Sequence, residues 1–446
     1  MSRHPLVLAL AFALLPAAAH AEDLLQTYEL ARSGDTQFSA AESSRLVTRE
    51  GSVQARAALL PQIDGDASIS RDLADGEDET TSRGLGVNAR QMVYDHANFT
   101  RLRSANALSK ASDFDLDAAS DDLITRTSAA YFNVLVQLET LAAAEAAETA
   151  LKKQFDFASK RLEVGLAPIT DVHEARAQYD SARASTILAR NAVEDAYQAL
   201  RELTGQPVAR LKGLPDDFKP ALPESTGVEE WVATAVANNP ALKAKEFALK
   251  SAEADVGTAR AGHYPSLYLS GRYGDSTTWG RENGSRFNVN DGSGQIGLTL
   301  SVPIFSGGAT QSGVRQALAR RDIAQDDLEQ TKRALDRNTR NAYQTVVAGI
   351  SEVEARRLAL VSARAAYDAS QVGLEVGTRT VLDVLTNQRN LFTAQQAYAQ
   401  AKYNFLQNRL LLEQAAGTLD IDDVQDINRL LTVDTEANLQ TPPTAQ

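Results

Sequence analysis

Leu374-Glu375-Val376-Gly377-Thr378-Arg379-Thr380-Val381-Leu382-Asp383-Val384 has a counterpart 212 positions upstream, Leu162-Glu163-Val164-Gly165-Leu166-Ala167-Pro168-Ile169-Thr170-Asp171-Val172. Long runs of helix-period apolar residues flank both stretches. Each contains a glycine suited to a helix C-terminus, where the left-handed conformation carries no Cβ penalty. Each then brings Thr and Asp to the start of the next helix, where side-chain oxygens accept bonds from free N–H groups. The spacing predicts a helical hairpin written twice. Either stretch alone also reads as a solvated turn between coiled-coil helices; the echo along the rest of the chain favours duplication.

That echo is regular. Gly165 and Gly377, Asp171 and Asp383, and Gly205 and Gly417 are all 212 residues apart, whereas Asp35 and Asn239, like Pro61 and Pro265, are 204 apart. The offset changes across a loop that is longer in the second half, where insertions are best tolerated. The first repeat, 22–226, is expected to comprise a helix, a strand hairpin at 62–94, a long helix hairpin at 97–204 and a connector at 205–226. The second, 227–431, is expected to comprise helices at 228–262, a strand hairpin at 264–305, a long helix hairpin at 309–416 and an acidic segment at 417–431. Residues 432–446 read as a disordered tail, and 1–21 as a secretory leader: Arg3, an apolar run Leu6–Leu15, then Ala19-His20-Ala21.

Composition narrows the class. The formal net charge is −13 and there is no basic patch, which argues against a nucleic-acid partner. No cysteine is present, which excludes disulfides, thiolate metal sites and cysteine nucleophiles. Alanine-rich, charge-rich sequence with seams such as Thr186, Ala189, Val193, Ala196 and Leu200 predicts closely packed long helices, about 100 Å each if continuous.

The period then changes to two. Ile63, Gly65, Ala67 and Ile69 alternate with Asp64, Asp66, Ser68 and Ser70; Leu85, Val87 and Ala89 repeat the pattern, as do Leu267, Leu269, Gly271 and Tyr273, and Ile296, Leu298, Leu300, Val302 and Ile304. Asp72–Ser82 and Asp275–Ser293 read as loops. Four strands with one apolar and one polar face suit a membrane barrel, but four cannot close one, and an open edge is not tolerated in lipid. Three copies would close 12 strands around an aqueous lumen. The expected fold is therefore mainly α with a transmembrane β-barrel part. Tyr94, Tyr264, Tyr268, Tyr273, Trp279 and Phe305 are candidates for aromatic girdles and equally for ordinary packing.

Val376-Gly377-Thr378-Arg379-Thr380-Val381-Leu382-Asp383-Val384-Leu385, with Val164-Gly165-Leu166 and Ile169-Thr170-Asp171-Val172, resembles the TolC family of outer-membrane factors; Ala401-Lys402-Tyr403-Asn404-Phe405 and Ala416-Gly417-Thr418-Leu419 match it too. The resemblance covers essentially the whole mature chain. It implies a homotrimer in outer-membrane lipid: a 12-stranded barrel above a 12-helix periplasmic tunnel, with an equatorial belt drawn from 208–237 and from the segment after Gly417. It implies passive export of drugs or type I secreted proteins. A periplasmic adaptor (membrane fusion) protein and an inner-membrane transporter of RND, ABC or MFS type would open the channel at its helix tips.

By the same resemblance, Thr170, Asp171 and Arg379 sit at the polar links that hold the periplasmic gate shut. Asp383 would form a three-fold acidic ring, attracting cations and raising one another's pKa. Val164, Gly165, Leu166, Val376, Gly377 and Thr378 match adaptor-contacting tips. Two positions depart from the family pattern: Leu374 stands where a tyrosine hydroxyl would join the link to Asp171, and Thr386 stands where a second acidic ring would lie. The same residues have plainer readings, with Asp171 and Asp383 as helix caps and Gly165 and Gly377 as turn glycines. No catalytic, cofactor or metal constellation is found: His96, His173 and His263 are scattered, and the Gly-rich stretches lack a phosphate-loop lysine. The competing class is a coiled-coil structural or surface protein without a pore.

Overall fold

The computed structural model describes residues 23–73, 79–215, 217–221, 227–282 and 285–435. The expected leader, residues 222–226 of the connector and 436–446 of the tail lie outside them. The first half runs α1 (Leu24–Gly34), α2 (Thr36–Ala57), β1 (Gln62–Leu73), β2 (Glu79–Tyr94), α3 (His96–Glu163) and α4 (Ile169–Thr204). A short β3 (Lys212–Gly213), α5 (Val228–Asn238) and α6 (Pro240–Arg260) follow. Then come β4 (Ser266–Glu282), β5 (Ser285–Ser301), α7 (Ala309–Glu375), α8 (Val381–Ala416), α9 (Ile421–Leu430) and β6 (Val433–Asp434). The chain divides into two units, one of Ser39–Ala119 and Asn239–Leu335, the other of the remainder.

The first of these units carries a four-stranded antiparallel sheet in the order β1-β2-β4-β5, so that β1 and β5 are its edges. One face holds Ile63, Ile69, Leu85, Val87, Tyr273, Ile296 and Leu298, all exposed in the single chain, Ile296 at 85%. The opposite face is polar, and on it the Asn88 amide donates to Asp66 at 2.6 Å. The strands run further than apolar alternation indicates. Thr80, Thr81 and Ser82 pair in β2, and Asp275–Glu282 of β4 pairs with Ser285–Gly292 of β5, where loops were expected. Thr, Trp and Ser fit a pleated ladder without an apolar partner face, so the ladder outlasts the apolar band. Conversely, Val302 and Ile304 fall beyond the end of β5. The aromatic candidates divide. Tyr273 and Trp279 lie on the apolar face, while the Tyr268 hydroxyl donates to Asp95 at 2.7 Å and Tyr264 packs edge-on against His96.

Helices close one end of this sheet. The Ser104 and Ser251 hydroxyls bond at 2.8 Å, Thr258 donates to Thr100 at 2.7 Å, and a Cβ on Gly257 would meet Thr100 at 3.0 Å. Small residues thus let α3 and α6 approach closely. Phe114 stacks on Phe247, and Arg45 of α2 pairs with Asp113 at 2.6 Å.

The other unit is helical apart from a short two-stranded sheet. Thr186, Ala189, Val193, Ala196 and Leu200 of α4 are buried, as the seam predicts. Leu123, Tyr131 and Leu135 of α3 are fully buried, as are Leu406, Leu410 and Leu412 of α8. Some buried polar groups, such as the Thr127 and Thr339 hydroxyls, have no hydrogen-bond partner, but the larger ones on α3 and α8 do. Tyr131 donates to the Lys212 carbonyl at 2.8 Å, and Lys402, 2% exposed, and Tyr403 both donate to Glu139, at 3.2 and 2.9 Å. Burial and the nearby Glu139 carboxylate hold the Tyr403 pKa far above its ordinary value, so it stays a neutral donor. Arg340 grips Glu229 of α5 through two bonds at 2.7 and 2.9 Å. Val433–Asp434, inside the expected tail, pairs with Lys212–Gly213 as β6 and β3.

Candidate functional site: the two hairpin tips

Both matched stretches are turns between long helices. α3 ends at Glu163 and α4 begins at Ile169; α7 ends at Glu375 and α8 begins at Val381. The helix ends are the same motif. Gly165 and Gly377 are left-handed, with φ of 73° and 78°. At the first tip, the Gly165 N–H donates to Leu162 O at 2.9 Å and the Leu166 N–H to Arg161 O at 2.7 Å. At the second, Gly377 donates to Leu374 O at 3.2 Å and Thr378 to Gly373 O at 2.8 Å. This paired pattern satisfies the last helical carbonyls and requires positive φ at the glycine. The turn-glycine reading therefore holds at both sites. Around the glycines, Val164, Leu166 and Val376 are about two-thirds exposed, at 68%, 67% and 68%.

The helix starts differ. At the second tip, Thr380 caps α8: the Asp383 N–H donates to Thr380 Oγ1 at 3.2 Å, and Asp383 Oδ2 accepts from the Thr380 N–H and hydroxyl, both at 2.9 Å. These bonds, with the nearby Arg379 charge, hold the Asp383 carboxyl below the usual aspartate value. At the first tip, Pro168 precedes α4 without any side-chain cap bond, and Asp171 stands in the first turn with its backbone N–H donating to Pro168 O at 3.2 Å and no side-chain bond among the described residues. Capping is thus the observed role of Asp383 and not of Asp171.

Arg379 is exposed, and its backbone N–H donates to Gly373 O at 3.1 Å. Its aliphatic stem lies where a Cβ on Gly373 would be, 2.6 Å away, so Gly373 leaves room for it. Among the described residues, neither Arg379 nor Asp171 forms an ion pair within the chain. Thr170 and Thr386 are exposed, and Leu374 is half-buried. Gly373 and the back-bond from the Thr378 hydroxyl to Gly373 O, at 3.2 Å, were missed from sequence. A second glycine four residues before the turn glycine, absent from the first tip, was the available signal.

The profile of the outer membrane efflux protein family matches residues 27–206 and 231–418. The chain is 34% identical to the outer membrane protein TolC of Vibrio cholerae over 96% of its own length and 98% of that protein's. It is 30% identical to the alkaline protease secretion protein AprF of Pseudomonas aeruginosa, over 92% and 88%. Its fold is similar to that of the Campylobacter jejuni CmeC outer membrane channel, with a TM-score of 0.78, 20% identity and coverage of 92% and 90%.

Proposed function

The chain belongs to the outer membrane efflux protein family, and from that premise we propose that it is the passive duct of a tripartite exporter, shut at its hairpin tips and opened there by a periplasmic adaptor. It is an outer-membrane channel. The observation that carries the closed-barrel part of the proposal is the sheet: an exposed apolar face combined with two unpaired edges, β1 and β5. Lipid accepts an apolar face but not unsatisfied N–H and C=O groups, so the edges must meet other copies. A homotrimer completes 12 strands, and exposed apolar residues on the helices, such as Ile187, Leu188 and Val361, supply further inter-copy surface.

In this reading Arg379 of one tip and Asp171 of another, with Thr170 beside it, link across the closed end. The support is that both lack an intrachain ion pair. A charge-assisted bond contributes about 1.5–3 kcal/mol, enough to bias closure and weak enough to be exchanged on docking. Val164, Gly165, Leu166, Val376, Gly377 and Thr378 present the exposed surface an adaptor would grip. Asp383 forms the acidic ring when three copies converge, while Leu374 and Thr386 leave the closure with one link and one ring fewer than the family pattern. The transporter is of RND, ABC or MFS type, and the cargo drugs or type I secreted proteins; likeness to a protease secretion protein supports the latter.

The test is single-channel conductance of the purified protein in a planar bilayer, with and without polyvalent cations. Small, cation-selective currents are expected. A protein that stays soluble without detergent and never inserts overturns the reading in favour of a coiled-coil protein without a pore.

A further inference from the structure

The apolar face of the sheet ends in arginines. Directly paired residues in an antiparallel ladder share a face, as do alternate residues along a strand. Starting from the exposed row Gly65, Val87, Tyr273, Gly294, two steps toward the β1–β2 and β4–β5 connections give Ile69, Arg83, Thr277, Asn290. The next row on this face is Arg71, Thr81, Trp279, Asn288, and beyond it Arg281 stands directly opposite Arg286. Arg71, Arg83, Arg281 and Arg286 are all exposed. Arg71 pairs with Glu79; among the described residues the other three have no ion pair, and the remaining carboxylate on this face near them is Asp275, in the row of Leu85.

Two features are unfavourable in the chain by itself. Like charges directly opposed on one face of a sheet repel, and Arg281 and Arg286 occupy such a pair. The arginines also continue a face that, from the row of Val87 and Tyr273 to that of Ile63 and Ile296, carries only apolar side chains, glycine and tyrosine, and is lipid-facing in an outer-membrane channel. Trp279 sits in their midst, and tryptophan at that level is the side chain of a headgroup interface. The opposite ends of the strands lead into α2, α3, α6 and α7, the helices of the periplasmic side, so this end lies at the outer leaflet.

We infer that Arg71, Arg83, Arg281 and Arg286, with Trp279, form a docking surface for the phosphate-bearing headgroups of an outer-leaflet glycolipid. The planar guanidinium fork suits phosphate in bidentate geometry, and an anion between Arg281 and Arg286 turns their repulsion into two attractions. The occupant is a lipid headgroup rather than free phosphate because the surface is continuous with the apolar band that would seat the acyl chains. The inference rests on the outer-membrane channel reading.

The test uses the full chain in detergent, with native mass spectrometry of glycolipid retained after detergent exchange. A bis-phosphorylated glycolipid and its dephosphorylated form are the probes, with inorganic phosphate as competitor. The phosphorylated form is expected to be retained and to survive phosphate. The triple variant Arg83→Gln/Arg281→Gln/Arg286→Gln should lose at least about tenfold in retention, and the matching lysine triple, which keeps the charge without the fork, should recover only part of it. Equal retention of the dephosphorylated lipid, displacement by phosphate, or no loss in the glutamine triple overturns the proposal. Should that triple fail to fold, the two glycolipids on the natural sequence decide alone. Conductance in glycolipid-free phosphatidylcholine bilayers separates the two failures. A channel that conducts but retains no glycolipid sinks only this inference, and a protein that does not conduct sinks the channel reading beneath it.

Discussion

The two hairpin tips end their helices in the same way and begin the next ones differently. Gly165 and Gly377 occupy the same left-handed position with the same two carbonyl-satisfying bonds. Past the glycine the second tip gains a Thr378 back-bond, a Thr380–Asp383 capping box and the Arg379 backbone bond, whereas the first offers Pro168 and an uncapped start. Duplication kept the turn, which backbone geometry dictates, and let the polar residues diverge. The divergence separates charge: the unpaired cation, Arg379, is on one tip and the carboxylate without a side-chain bond, Asp171, on the other. A link between unlike tips of neighbouring hairpins needs that division.

The largest expected effect tests whether the two charges are partners. Arg379→Ser should raise resting conductance through a shift of about 10–100-fold in the closed–open balance, and Asp171→Asn should do nearly the same. If they bond to each other, the double variant resembles either single one, because the second change removes a bond already lost. Additive effects in planar-bilayer conductance would break the pairing and leave each tip with a separate partner.

The glycines should respond equally. Gly165→Ala and Gly377→Ala put a Cβ into open space, since no atom lies within 4 Å of either position, so only the positive φ matters. The cost is about 1–2 kcal/mol at each, on the order of tenfold faster amide exchange at Leu166 and Thr378. A larger loss at one tip would show that the tips differ in the turn itself and not only in their caps.

These contrasts also show what can be read from sequence. The helix seams and turn glycines were legible because each rests on a short-range rule: burial of Val193, Ala196 and Leu200 follows from 3.6 residues per turn, and the conformation of Gly165 from the absence of a Cβ. Strand length was not, because the alternation that marks a strand vanishes where both faces are polar, as at Ser276–Thr277 against Asn290–Asp291. The pairing of Lys212–Gly213 with Val433–Asp434 has no period at all and depends on contacts distant in sequence. At the site, Thr380 and Asp383 were three apart and legible as a cap, while Asp171, open to the same reading, makes no side-chain bond among the described residues.

The caps predict a smaller, one-sided effect. Thr380→Ala removes the acceptor for the Asp383 N–H and should cost about 1 kcal/mol, seen as roughly fivefold faster exchange of that amide, with no change at the first tip. Pro168→Ser would give the first tip a Ser-x-x-Asp box with Asp171 and should slow exchange of the Asp171 amide a few-fold. An unaltered Asp171 amide in that variant would mean that the first tip is held open by something other than a missing cap.

The smallest effect, and the one that discriminates best between chain and assembly, is the titration of Asp383. Its bonds to Thr380 and the field of Arg379 lower its pKa from the ordinary 3.8. A carboxylate with a depressed folded value stabilises the fold above the unfolded value, and that contribution is lost as pH falls through the depressed one. In a single chain the α8 start should therefore keep its protection at pH values around 4 and lose it only below 3.8. Three such carboxylates converging on one axis oppose that shift, because each disfavours ionisation of the others. Carbonyl-region infrared difference spectra of the assembled channel, referenced to Asp383→Asn, locate the midpoint. A value above 3.8 means that repulsion outweighs the cap and the ring lies at the constriction. A value below it leaves Asp383 as a helix cap whose three copies stand too far apart to sense one another.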